Sequence, residues 1–202
     1  MGSGYLTSPL VLIINTVFDL YVLLVLLRFM LQMLRADFYN PVSQFIVRVT
    51  SRPLGVMRRV IPSVSGQDTA AIVLCLVIIY AKFMLLRLLD TAAIHIGSTL
   101  APISSIGYLG LLVYGIADLV SLFLTVFLIA IIIQVVLSWI SPGHHNSVVG
   151  LVNSLAAPVL RPVRKFVGPI GGIDLSPLIA TLVIIVTKML IIPPIIFAGS
   201  LL

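Results

Sequence analysis

Long apolar runs alternate with short polar stretches along this chain. The apolar runs extend from about Leu10 to Leu34, Thr69 to Ile96, Gly107 to Ile140, and Leu175 to the C-terminus. A membrane-crossing helix needs roughly 20 mostly apolar residues, so each run predicts one transmembrane span. Pro193-Pro194 is expected to interrupt the fourth. Runs longer than one crossing predict tilt, kinks or interfacial ends. The intervening stretches, 35–68 and 141–174, have a pattern of their own. Val42, Phe45, Ile46 and Val49 fall at i, i+3, i+4 and i+7, and so do Val148, Leu151, Val152 and Leu155. This spacing makes one apolar helical face. In the first stretch Gln44, Arg48, Ser51 and Arg52 take the opposite side. Such a helix lies in the headgroup plane of a bilayer. The predicted class is an all-α membrane protein: four transmembrane helices in two hairpins, each with an interfacial amphipathic helix.

The two halves repeat. Shifted by 106 positions, they align without a gap: Asn40 meets Asn146, Arg58 meets Arg164, Arg59 meets Lys165, Gly66 meets Gly172, Asp68 meets Asp174 and Lys82 meets Lys188. Apolar matches are cheap in this composition; these polar ones are not. Residues 1–97 and 107–202 therefore form two copies of span, basic loop, span. Both copies enter the membrane in the same direction, so their pseudo-axis is expected along the membrane normal, unlike that of inverted repeats. In each loop a proline, Pro53 or Pro158, is expected to break the amphipathic helix. A basic turn follows, Arg58-Arg59 or Arg164-Lys165, placed for lipid phosphates. Gly66, Gly171 and Gly172 allow a tight turn into the next span. Asp68, and Asp174 with Ser176 and Pro177, sit where a helix N-terminus favours a carboxylate, a cap and a proline.

Composition agrees with lipid as the solvent. Hydrophobic residues make up 60% of the 202 and charged ones 9%, with mean hydropathy +1.26. That is too little polar surface to clothe a soluble domain. The formal charge is +6, and its placement orients the chain. Arg35, Arg48, Arg52, Arg58 and Arg59 lie between spans one and two, and Arg161, Arg164 and Lys165 between spans three and four. The connection 97–106 and both tails carry no Lys or Arg. The positive-inside rule then predicts cytoplasmic basic loops and both termini outside. Short juxtamembrane loops explain the basic residues, so no nucleic-acid partner is expected. The N-terminus has no basic stretch before its apolar run, so the first span is expected to be a permanent anchor. The one cysteine, Cys75, lies inside span two and excludes an intrachain disulfide.

The loops NPVSQFIVRVTSRPLGVMRRVIPSVSGQD and NSLAAPVLRPVRKFVGPIGGIDLSP resemble the paired signature of the YggT/YlmG family, small multi-pass membrane proteins of bacteria with chloroplast relatives. The second copy is the closer match. The first departs at VSGQDTAA, where the family pattern has GGIDLSP. The resemblance implies a bacterial inner-membrane protein with roles in osmotic tolerance, potassium uptake, or cell division and membrane organisation. For plastid relatives it implies assembly of a cytochrome b complex. It implies no reaction.

No catalytic residue or cofactor is expected. SGQD and GGID are not the GxGD of an intramembrane aspartyl protease, and capping explains both. His144-His145 lack nearby ligands for a metal, and His95 is expected at the outer end of span two. There is no HExxH, GxSxG or Walker loop. Gly107, Gly110 and Gly115 miss the GxxxG spacing but leave room for close helix packing. Polar residues inside the spans are expensive and mark candidate sites. At ~1.5 Å per residue, Asp19, Lys82 and Lys188 fall near mid-membrane. Arg28 is nearer the basic side; Arg87, Asp90 and Asp118 fall toward the other. Lys82 is expected to pair with Asp19, and Arg87 with Asp118. Lys188 has no matching carboxylate, because Thr125 stands at the position equivalent to Asp19.

The function expected is non-enzymatic: a membrane scaffold or assembly factor linked to osmotic-stress tolerance. It would bind anionic lipids through Arg48, Arg52, Arg58, Arg59, Arg161, Arg164 and Lys165, as a homo-oligomer or with another membrane complex. The rival is an ion pathway lined by Asp19, Lys82, Gln134 and Lys188, which needs oligomerisation because four helices alone make a poor pore.

Overall fold

The computed structural model describes residues 3–36, 40–63, 66–89, 93–140, 146–167 and 174–202. The described elements are α1 (Ser3–Met33), α2 (Pro41–Met57), α3 (Thr69–Leu88), β1 (Ala93–Ile96), β2 (Thr99–Pro102), α4 (Tyr108–Ile140), α5 (Ser147–Phe166) and α6 (Ser176–Ser200). Among the described residues four helical stretches are long and apolar enough to cross a membrane: Pro9–Met33, Thr69–Leu88, Tyr108–Ile140 and Ser176–Ser200. α1 packs on α3 and α4 on α6, giving two hairpins, and α3 against α4 joins them. α2 lies against α1 and α3; α5 takes the matching place against α4 and α6. The core is mainly apolar, from Val25, Leu26 and Met30 through Ile79 and Phe83 to Leu111, Tyr114 and Ile131, with Lys82 and Ser121 buried in it.

The ends of these helices follow from local chemistry. α1 closes in a Schellman turn: Ala36 N–H donates to Leu31 O at 2.9 Å and Arg35 N–H to Gln32 O at 3.2 Å. Arg35 takes the left-handed conformation there, with φ 51°. α2 and α5 start alike, each on an asparagine. Asn40 Oδ1 accepts from Ser43 N–H at 2.7 Å, and Asn146 Oδ1 from Val148 N–H at 3.4 Å.

Several expectations from the sequence need correction. The prolines do not break the amphipathic helices: α2 runs through Pro53 and α5 through Pro158 and Pro162. Each proline removes one backbone bond. Pro158 and Pro162 lie on the exposed side of α5, where the freed carbonyls can be solvated. α6 likewise continues through Pro193 and Pro194 to Ser200; membrane helices accommodate proline by local adjustment. Of the apolar stripe of α2, Val42, Phe45 and Val49 are exposed, as an interfacial helix requires, and Ile46 is buried with Ser43, Thr50 and Leu54. In α5 the stripe faces inward, with Leu151, Val152 and Leu155 buried and Val148 alone exposed.

The largest departure lies after α3. That helix ends at Leu88, and the chain then forms an antiparallel hairpin in which Ile94 pairs with Ala101 and Ile96 with Thr99. Gly97, with φ 61°, and Ser98 make the turn. Ile94, Ile96, Ala101 and Ile103 are buried, whereas His95 and Leu100 face out. His95 is therefore on a strand, not at the end of a helix. The hairpin folds back along the bundle: a Cβ placed on Gly97 would lie 2.6 Å from Ser121 Oγ and 3.7 Å from Lys188 Cε. Ser121 is about 20 Å along α4 from its first residue.

Glycine contacts close the opposite end of the second hairpin. A Cβ on Gly110 would collide with Gly199 O, and one on Gly107 with Leu202 O. Gly115 has only ordinary contact with Ile79, at 3.6 Å. Two of the three glycines thus permit close packing.

Candidate functional site

The intramembrane polar residues converge on α4. Asp118, Ser121 and Thr125 are spaced i, i+3 and i+7, which puts them on one face. Lys82, from α3, meets this face at its upper end. Its Nζ donates to Asp118 Oδ2 at 2.9 Å and to Asp19 Oδ1, from α1, at 2.6 Å. The Lys82 side chain is only 5% exposed, against 19% for Asp118 and 53% for Asp19. The expected Asp19–Lys82 pair is present. The expected Arg87–Asp118 pair is not, because Lys82 takes Asp118. Arg87 instead donates to Ile106 O at 2.8 Å and lies over the Tyr108 ring, 5.1 Å from its centroid.

The repeat forms the same contact with different chemistry in the second half. Lys188 Nζ donates to Thr125 Oγ1 at 2.7 Å, across the same 63-residue separation that links Lys82 to Asp19. Thr125 in turn donates to Ser121 O at 2.7 Å. The row on α4 thus connects two ammonium groups, one held between two carboxylates and the other on a hydroxyl. Taken together the four charged groups are balanced, and each half supplies one carboxylate and one ammonium; the Lys82 cluster gathers both carboxylates, and Lys188 is left with the Thr125 hydroxyl.

A second cluster lies where the amphipathic helices meet the spans. Arg58 Nη2 and Nε donate to Asp68 Oδ2 at 2.5 Å and Oδ1 at 3.3 Å. Arg164 Nε donates to Asp174 Oδ2 at 2.9 Å. Both clamps span ten residues and tie the end of one amphipathic helix to the start of the following span. The hydrogen bond from Arg58 to Asp68 raises the Arg58 guanidinium above its ordinary value. Burial works to raise the Asp174 carboxyl, but hydrogen bonds from Ser176 and Arg164 outweigh it and hold the group below the usual carboxylate range.

Asp174 accepts from Ser176 N–H at 2.9 Å and so satisfies a first-turn donor of α6 from the position before its N-cap, Leu175, which itself makes no side-chain cap. Asp68 makes no side-chain cap on α3, because Arg58 occupies its carboxylate. Gly66 turns the chain with φ 76°. Gly171, Gly172, Asp90, His144 and His145 lie outside the described residues. Arg48, Arg52, Arg59, Arg161 and Lys165 are exposed and have no ion pair among the described residues.

Arg28 and Gln134 occupy equivalent positions, with different results. Arg28 Nη1 reaches across to α2 and donates to Thr50 Oγ1 at 2.9 Å, Val47 O at 3.2 Å and Ser51 Oγ at 3.3 Å. Gln134 Oε1 is buried and has no hydrogen-bond partner among the described residues. Beside it an open groove of about 860 Å³ runs between α4 and α6, lined by Ile131, Val135, Trp139, Leu178 and Thr181. A smaller pocket of about 320 Å³ lies between α4 and α5; Gln134 and Arg164 border both.

Four apolar helices in two like-directed hairpins, each with an amphipathic helix clamped to its second span, define a multi-pass membrane protein with an internal repeat. The CCB3/YggT family model matches this chain twice, at residues 7–89 and 113–195, with the same 106-residue offset. The chain belongs to the CCB3/YggT family. It is 42% identical to "Uncharacterized protein PA0392" of Pseudomonas aeruginosa over 187 residues, 93% of this chain and 90% of that one. It is 33% identical to "Uncharacterized protein YggT" of Escherichia coli over 184 residues, 90% and 88% of the two chains. A 62-residue segment, 31% of this chain and 24% of the other, is 36% identical to "YlmG homolog protein 2, chloroplastic" of Arabidopsis thaliana. No solved structure matches.

Proposed function

We propose that the protein is a non-enzymatic scaffold or assembly factor of the bacterial inner membrane, linked to osmotic-stress tolerance, that organises anionic lipid on the cytoplasmic side. Both termini lie outside. The observation that carries this reading is the pair of Arg–Asp clamps. They fix α2 and α5 at the same end of their hairpins and leave Arg48, Arg52, Arg59, Arg161 and Lys165 exposed there. Each such cation beside an anionic surface contributes on the order of 1 kcal/mol. The outward apolar side chains Val42, Phe45 and Val49 of α2 suit insertion at the acyl boundary. The rival, an ion pathway, draws on the polar row of α4. Tight apolar packing by Ile79, Phe83 and Leu86 beside Lys82 favours the scaffold.

The test replaces Arg48, Arg52 and Arg59 with alanine and measures enrichment of phosphatidylglycerol over phosphatidylcholine around the protein in mixed-lipid nanodiscs. Enrichment should fall in the variant, most clearly at low salt; unchanged enrichment overturns the reading. For orientation, Cys75 is replaced by Ala and a cysteine is placed at Ser63 or Ser104. An impermeant thiol reagent on intact cells should label only the Ser104 position. The reverse pattern overturns the orientation.

A further inference from the structure

The two seams between span and amphipathic helix are built on one plan, yet only the first is filled. In the first, the Arg28 guanidinium occupies the space between α1 and α2, satisfied by Val47 O, Thr50 and Ser51. In the second, 106 positions on, Gln134 replaces the arginine, and Asn153, Ala156 and Ala157 replace Val47, Thr50 and Ser51. The shorter side chain leaves a buried acceptor, Gln134 Oε1, with no partner among the described residues. It also leaves the polar pocket bordered by Asn153, Ser154, Arg161 and Arg164, which meets the apolar groove at Gln134 and Arg164. A buried acceptor without a donor is costly. Here an unpartnered acceptor, a cation pair and a long apolar wall adjoin one another.

We propose that this seam is a binding site for one phospholipid molecule with an anionic, hydroxyl-bearing headgroup, of the phosphatidylglycerol type. The site rests on the lipid-organising reading above but is distinct from its diffuse electrostatics. The phosphate sits on Arg161 and Arg164. Asp174 also borders the groove, but its oxygens are engaged by Arg164 Nε and Ser176 N–H, which leaves the outer nitrogens of the Arg164 guanidinium for the ligand. A headgroup hydroxyl donates to Gln134 Oε1. An acyl chain lies along Ile131, Val135, Leu178 and Thr181. The groove is within the size range of ligand sites, about 300–1,000 Å³. Phosphatidylcholine offers the phosphate but no headgroup donor, so the site discriminates against it.

The experiment is native mass spectrometry of the full-length, detergent-washed protein titrated with dioleoyl phosphatidylglycerol or dioleoyl phosphatidylcholine. One tightly retained phosphatidylglycerol per chain is expected, with phosphatidylcholine held roughly tenfold more weakly or worse, the worth of one good hydrogen bond. Gln134→Arg copies the first seam. It should abolish the retained molecule although it adds positive charge, whereas diffuse electrostatics predicts equal or greater retention. Ala157→Leu narrows the same pocket without changing charge and should have the same effect, which keeps the test decisive if Gln134→Arg does not fold. Retention at the wild-type level in a folded variant overturns the proposal, as does equal retention of the two lipids by the parent protein. The triple Arg48, Arg52, Arg59 alanine variant separates the two readings. It should lose diffuse enrichment and keep the single bound molecule. Loss of that molecule along with the diffuse enrichment places it on the first repeat and refutes the seam.

Discussion

Lys82 is the most exacting residue to perturb. Its ammonium lies between Asp19 and Asp118, and its own side chain is almost fully enclosed. Lys82→Met leaves two carboxylates without their cation inside an apolar bundle. Removing one partner of a buried ion pair costs about 3–5 kcal/mol. For a chain of this length that corresponds to a fall in Tm of roughly 6–20 °C. The two aspartates should rank alike. Half of Asp19 is exposed, but at mid-membrane depth that exposure is to lipid and not to screening water; losing its hydrogen bond to the Lys82 ammonium, like losing that of the more enclosed Asp118, should cost about 1.5–3 kcal/mol.

The combinations are more informative than the single changes. If Asp19 were the sole partner of Lys82, the Asp19→Asn, Lys82→Met double variant would recover. With Asp118 in place it should stay destabilised, and only the triple variant that adds Asp118→Asn should regain most of the loss. Thermal unfolding in detergent and cellular abundance are the readouts. Full recovery in the double variant, or strict additivity of the three effects, would refute the triad. A recovered triple variant also separates the scaffold from the ion pathway. Osmotic tolerance should be intact under the first reading and lost under the second.

Three further outcomes follow from geometry. Gly110→Ala drives a methyl into the α4–α6 contact and should destabilise by about 1–3 kcal/mol, seen as a lower Tm, while Gly115→Ala should be nearly neutral. Asn40→Ala should cost about 1–2 kcal/mol, and Asn146→Ala less, since the Asn146 cap is longer and exposed; the same unfolding assay ranks them. Asp174, whose carboxyl is held low, stabilises the α5–α6 junction fully above its unfolded value of about 3.9 and loses that contribution as pH falls through the lower folded value. Hydrogen exchange at Ser176 should therefore rise below pH 4, by only a few tenths of a kcal/mol because the pair is exposed, and Asp174→Asn should abolish the pH dependence.

Much of this architecture is legible in the residues. Counting depth from the basic loops places Asp19 beside Lys82, and the 106-residue shift names Thr125 as the group facing Lys188. Depth counting fails for Asp118 because it cannot say which way a side chain turns around its helix. That rotation gives Asp118 to Lys82 and leaves Arg87 to a backbone carbonyl. The apolar stripe of α2 is plain in the spacing of Val42, Phe45 and Val49. Spacing alone does not say whether lipid or protein covers it. The β-hairpin did leave a signal: Ile94, His95 and Ile96 alternate before a two-residue Gly-Ser turn, which is a hairpin pattern. Continuity with the long apolar run before it hides that pattern.

The hairpin also imposes an order on assembly. Its tip touches Ser121 of α4 and Lys188 of α6, and β2 packs on α6. Ribosomes make the hairpin before either surface exists. Spans that insert singly and associate later must hold this segment waiting until α6 is in place. Gly97 is then the last piece seated, a latch thrown by the final span across the join between the halves. Membrane insertion of the fourth helix thereby becomes the event that finishes the first repeat, and a chain arrested before α6 would hold β1 on α4 but leave β2 unsheltered at the bilayer.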